Sequence, residues 1–154
     1  MKYIIIGIGS IILLGVVVLC LPKVQPDKEI KDIKLFHYGT TDGMAMYDGV
    51  RYEINYEDDK FVAIIQKNGQ SDEEAKKVEI SKDKVKELEN ILNKYEVSKW
   101  DGFKKSDKNV LDGHSFSLYI RMFDDTSIDA SGYMKWPKNY SEVRGSLESY
   151  FESL

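Results

Sequence analysis

Nineteen consecutive residues without a charge, Tyr3–Leu21 (YIIIGIGSIILLGVVVLCL), restrict this chain more than any other stretch. As a helix rising about 1.5 Å per residue, the run reaches roughly 28 Å, close to the roughly 30 Å hydrocarbon core of a bilayer. A core helix of a small domain would keep one polar face, and this segment has none. A cleaved signal peptide would have a shorter apolar region and small residues at its cleavage site. Here the run ends in Leu19, Cys20, Leu21 and Pro22. Cys20 raises lipoprotein processing, but Leu19 stands where a small residue is wanted. The expected organisation is a signal-anchor over residues 1–22, a linker over 23–32 and one globular domain over 33–154. Its helix has no small-xxx-small face for dimerisation, because Ile11, Leu13 and Leu19 stand four residues after Gly7, Gly9 and Gly15.

Lysines alone would keep the domain cytoplasmic, since Lys2 precedes the run and Lys23, Lys28, Lys31 and Lys34 follow it. A two-residue head running straight into the apolar stretch is how bacterial export signals begin. An extracytoplasmic domain on a single-pass anchor is therefore the expectation. Pro26 and the alternating charges of residues 23–32 suit a stiff, solvated spacer.

With Lys2 set aside, 21 basic residues face all 26 acids in the remainder. That balance speaks against nucleic acid, which rewards clustered Lys and Arg, and against a domain lying flat on anionic lipid. Cys20 is the only cysteine, so no intrachain disulfide and no cysteine-based metal site can form. The domain must hold together by packing, and ten tyrosines in a chain that is 12% aromatic supply the material.

Ile33–Tyr38 reads as a short strand, and Asp-Gly pairs at Asp42–Gly43 and Asp48–Gly49 mark turns. Tyr52, Ile54 and Tyr56 alternate with polar residues at the strand period, and Phe61–Gln66 is an apolar run suited to a central strand. Val78 and Ile80 suggest an edge strand. Ser81 and Asp83 then open a helix whose stripe is Val85, Leu88, Ile91, Leu92 and Tyr95. Phe116, Leu118, Ile120 and Met122 alternate with polar residues, Asp124-Asp125 turns the chain, and Ile128 and Ala130 continue the inward face of a hairpin. Ser141 is expected to cap a second helix with the stripe Val143, Leu147, Tyr150, Phe151 and Leu154. The predicted order is β-β-β-(β)-α-β-β-α, an α+β domain with a mainly antiparallel sheet and both helices on one face.

Few residues carry chemistry. His114 could act as a general base oriented by Asp112 or Asp129, but no G-x-S-x-G elbow supplies a nucleophile. Asp107–Gly113 resembles a calcium loop only until its fifth and sixth positions, which are Leu111 and Asp112 rather than an oxygen ligand and glycine. Asp124, Asp125 and Asp129 read as turn and surface acids. No phosphate-binding glycine loop or dinucleotide motif occurs, so no cofactor and no metal is expected. Asn139-Tyr140-Ser141 is formally a glycosylation sequon lying over the helix cap. What remains is a set of aromatics in loops: Trp100, Phe103, Tyr133, Trp136 and Tyr140. They either line a binding cleft or plug the gap between helix ends and sheet.

Trp100-Asp101-Gly102-Phe103, Asp112-Gly113, Phe116, Leu118, Ile120, Ser131-Gly132, Trp136-Pro137 and Asn139-Tyr140 form a pattern spanning the last third of the chain. It resembles a group of uncharacterised membrane- or lipid-anchored proteins of Gram-positive bacteria. In that group the hairpin turn is commonly Asp-Gly, where this chain has Asp124-Asp125. The resemblance implies the same element order and a surface location, and it brings no catalytic residues. The leading expectation is a non-catalytic binding domain for a protein, peptide or cell-envelope polymer. A small hydrolase using His114, and an accessory subunit held in a membrane complex, are the alternatives.

Overall fold

The computed structural model of the protein describes residues 28–42, 49–67 and 69–154. The expected span at residues 3–21, Cys20 and the spacer up to residue 27 lie outside them. Among the described residues, no helix is long and apolar enough to cross a membrane.

The fold is α+β, and the described residues form seven strands and two α-helices: β1 (Ile33–Asp42), β2 (Arg51–Glu57), β3 (Lys60–Gln66), β4 (Lys76–Ile80), α1 (Lys82–Lys94), β5 (Lys104–Ser106), β6 (His114–Met122), β7 (Ser127–Tyr133) and α2 (Tyr140–Glu152). A 3-10 turn at Val97–Trp100 follows α1. The strands form one sheet in the order β4-β3-β2-β1-β6-β7-β5. Five neighbouring pairs are antiparallel, and the β5–β7 pair is parallel, so the sheet is mixed.

The alternation read in the sequence is realised as two faces. Phe36 and Tyr38, Tyr52 and Ile54, Ala63 and Ile65, Phe116 to Met122 at every second position, and Ile128 and Ala130 are all buried. They join Val85, Leu88 and Leu92 of α1 and Val143, Leu147, Tyr150 and Phe151 of α2 in one core. Rings bind the layers: Phe151 stacks on Tyr52 at 4.5 Å and on Phe36 at 5.9 Å. The Tyr150 hydroxyl donates to the Lys84 carbonyl, tying the helices together. Ring pairs of this kind add about 0.5–1.5 kcal/mol beyond the area they bury. The other sheet face carries the alternate residues, half-buried or exposed, and neither helix covers it.

Ser81 caps α1 as the sequence predicts, its hydroxyl accepting from the Lys84 N–H. The second cap differs. Asn139, not Ser141, precedes α2, and it sits in the left-handed region at φ 62° with no side-chain cap bond. Its amide instead donates to the Tyr95 carbonyl at the end of α1, so the side chain joins two helix ends rather than satisfying its own. Tyr140 is thereby the first residue of α2 and not a loop residue.

Two further elements depart from expectation. β5 was not legible: three polar residues show no alternation, and they are strand only because they pair with β7. Within the stretch read as spacer, Ile30 is buried, with Asn93 of α1 accepting from its N–H and donating to its carbonyl. Glu89 accepts from the Ile33 N–H. The chain is thus fastened to α1 before β1 begins.

The topology brings distant loops together. β1 to β4 form a meander that ends at one sheet edge, and the next strand, β5, lies at the other. Five inter-strand gaps of about 4.8 Å separate β4 from β7, roughly 24 Å. The 13 residues of α1 at 1.5 Å each, with the turn that follows, span that width. The crossing delivers residues 95–105 to the edge that β7 leaves on its way into α2.

Candidate functional site

Five aromatic rings gather where those two segments meet. Phe116 of β6 lies at the centre, with Tyr140 at 4.9 Å, Trp136 at 5.8 Å, Trp100 at 5.9 Å and Phe103 at 6.2 Å between ring centroids. Trp136 stacks on Tyr140 at 4.5 Å. Four of the five aromatics singled out in the sequence are therefore one cluster. The missing member of the count was Phe116, hidden because its alternation marks it as ordinary core.

The cluster divides sharply by exposure. Trp100 is 2% exposed and its indole N–H donates to the Lys138 carbonyl, which makes it a core residue. Tyr140 is 9% exposed, and the Tyr38 hydroxyl donates to its oxygen. Burial and this partner push the Tyr38 phenol far above its ordinary range. Trp136 is 39% exposed, a large ring held on a rigid aromatic floor with its outer side in water. Tyr133 belongs elsewhere. It lies on the outward parity of β7, and its hydroxyl donates toward the carbonyls of Leu111 and Val110, so it pins the 107–113 loop.

Backbone geometry lets the Trp136 loop come close. A Cβ added to Gly132 would stand 2.1 Å from the Lys135 carbonyl oxygen and 2.6 Å from the Phe116 ring. Only glycine permits that approach. Around the rings three non-glycine residues hold positive φ: Glu96 at 57°, Met134 at 53° and Asn139 at 62°. For Glu and Met this conformation costs of order 1 kcal/mol or more, a cost that surrounding structure must impose.

Trp136 lines two open concavities. One, about 270 Å3, runs between the end of α1 and the Trp136 loop, and takes in Phe103, Lys99, Lys105, Lys138 and Glu96. The other, about 360 Å3, has hydroxyls of Thr41, Ser115 and Ser141 beside His114 and Arg144. In the first, the charged residues among the described lining are three lysines and Glu96. Glu96 bonds Lys99 and lies 3.7 Å from Lys138, and these partners, Lys99 foremost, hold its carboxyl below the usual range. Lys105 sits 5.2 Å over the Phe103 ring. A chain with net charge −4 thus presents a cationic, aromatic cleft at one sheet edge.

The acids and histidines of the sequence reading are placed as follows. Asp129 lies opposite Tyr119, five residues along β6 from His114, which is roughly 17 Å and outside hydrogen-bond reach. Its carboxylate pairs with Lys104 at 2.7 Å. Asp112 and His114 are both exposed. Asp107 accepts from the Asn109 N–H and pairs with Lys135, and both contacts lower its pKa. Asp124 accepts from the Thr126 hydroxyl and N–H, and Asp125 pairs with Arg121. Among the described residues, no group of three or more His, Cys, Asp or Glu is placed to hold a metal ion.

His37, on the uncovered sheet face, has a carboxylate partner. Its Nδ1 lies 3.2 Å from Glu53 Oε1 and its Nε2 3.3 Å from Ser117 Oγ. Three strands supply this row, so no spacing in the sequence announces it. It has the order of a nucleophile–base–acid relay. Yet β1 and β6 each have a paired strand on both sides, which engages their N–H groups in the ladders. Backbone N–H groups around Ser117 are thus engaged in the sheet rather than offered as an oxyanion pair, which is usually the largest contribution to acyl transfer.

No protein-family model matches the chain, and no curated protein matches it either.

Proposed function

We propose that the protein is a membrane-anchored binding domain whose ligand site is the cleft beside Trp136. The carrying observation is the pairing of a 39% exposed tryptophan with a fully packed floor of Tyr140, Phe116 and Trp100. An exposed ring on a mobile loop would lose entropy on binding; this one is already ordered. Aromatic and cationic side chains at a concave surface are the composition of binding hot spots. The uncharged run Tyr3–Leu21 supports the anchor, and its short head supports an extracytoplasmic domain. Binding is favoured over hydrolysis because His114 lies far from Asp129 and the backbone N–H groups around Ser117 are engaged in the sheet ladders.

Co-sedimentation of the full chain in non-ionic detergent with cell-envelope fragments tests this reading. Trp136→Ala should cut retention about tenfold while the chain stays folded, its thermal midpoint lowered by far less than in Trp100→Ala. Tyr119→Ala removes a 37% exposed ring from the uncovered sheet face and should leave retention unchanged. Equal retention of the Trp136→Ala chain would overturn the assignment.

A further inference from the structure

We infer that the groove on either side of Trp136 takes an acidic polysaccharide, a chain of sugar rings bearing carboxylates. The inference rests on the binding reading above and names the ligand class for the same site. Three observations on the molecule point to it.

Trp136 is common to both concavities, so it forms a ridge between two subsites rather than the wall of one pocket. The larger volume, about 360 Å3, stands at the small end of cavities that hold small ligands (about 300–1,000 Å3), and the other, about 270 Å3, falls just below it. Each suits a single ring, and Trp136 borders both, so a chain of at least two rings could lie across it. A folded partner would need a broad surface instead.

The lining is also asymmetric in chemistry. On one side Lys105 lies over the Phe103 ring and Lys138 stands 3.7 Å from Glu96, the one carboxylate among the described lining residues, so ammonium groups border the ring. On the other, the Thr41 and Ser115 hydroxyls bond each other at 2.5 Å, and Ser141 adds a third, as suits a ligand rich in hydroxyls. The exposed outer face of Trp136 offers a flat apolar surface between them. A sugar ring has one such face of C–H groups and a rim of hydroxyls, and matches that sequence of surfaces. In a chain of net charge −4, lysines gathered beside exposed rings favour an anionic chain at this edge.

The test uses the full chain in non-ionic detergent and three six-unit probes: an oligogalacturonate, a neutral glucose oligomer and inorganic polyphosphate. With Trp100 buried at 2%, fluorescence quenched by acrylamide reports Trp136. The oligogalacturonate should protect Trp136 and bind at least tenfold more tightly than the neutral oligomer. Lys105→Gln and Lys138→Gln should each weaken it about fivefold, the worth of one partly screened ion pair. Binding should weaken severalfold between 20 mM and 0.5 M salt. Equal affinity for the neutral oligomer, or tight polyphosphate binding that leaves Trp136 open to quencher, would overturn the acidic-sugar assignment. So would an absence of binding to the oligogalacturonate. Any of these results alongside Trp136-dependent envelope retention would leave the binding site standing with another ligand; loss of both would remove the site itself.

Discussion

Truncating the two tryptophans should give opposite results. Trp100→Ala removes a 2% exposed ring and its bond to the Lys138 carbonyl, and is expected to cost about 3–5 kcal/mol in urea denaturation. Trp136→Ala removes a partly exposed ring with two ring contacts, and is expected to cost about 1–2 kcal/mol, well below Trp100→Ala. Comparable losses for both would mean that Trp136 is core and that the cleft is packing. The sequence places both residues in loops beside strands, and nothing in their neighbours separates them. Their difference is tertiary: Trp100 is buried against Phe116 and Tyr140, whereas Trp136 stacks on Tyr140 with part of its surface in water. His37, Glu53 and Ser117 were illegible for a related reason, since three strands had to be put in register before their side chains could meet.

Among elements, the ends of α2 and α1 make the clearest prediction. Asn139→Ala should destabilise by about 1–2 kcal/mol, losing the bond to the Tyr95 carbonyl and forcing a Cβ-bearing residue without a local hydrogen bond into the left-handed region. Ser141→Ala should change stability by less than about 0.5 kcal/mol, because Ser141 lies inside the first turn and caps nothing. Ser81→Ala supplies the reference, at about 1 kcal/mol for a functioning cap. A larger loss at Ser141 than at Asn139 in thermal scans would refute the assignment. Long periodic elements were readable in advance, since α1, the β6–β7 hairpin and the α2 stripe are dictated by spacing alone. β5 and the Asn139 link were not, because their bonds reach across the sheet edge and between helices rather than along the chain.

At the scale of the whole molecule, tyrosines shape the response to alkali. Burial raises the phenols of Tyr38, Tyr150 and Tyr140, and pushes Tyr52 up to about 12 from an ordinary 10.0. The unfolded chain then releases these protons before the folded chain does. Stability from this source is complete below pH 10 and lost as pH rises toward the folded value. Thermal midpoints measured from pH 8 to 11.5 should begin their steep fall above pH 10, and Tyr52→Phe should make that fall shallower; an unchanged slope in the variant would count against it. Strand order has a kinetic consequence as well. β1 is first among the described strands and yet lies in the middle of the sheet, its far edge paired only with β6, Phe36 opposite Ile120. β2 and β3 close through a two-residue turn at Asp58-Asp59, whereas joining β1 to β6 closes a loop of 84 residues, an entropic difference of a few kcal/mol. During synthesis the meander is therefore complete while one whole edge of its central strand, with Phe36 and Tyr38 beside it, waits for residues 114–122 to emerge. A ribosome pausing before His114 would hold out an apolar strand edge ready to pair with its neighbour on the next chain.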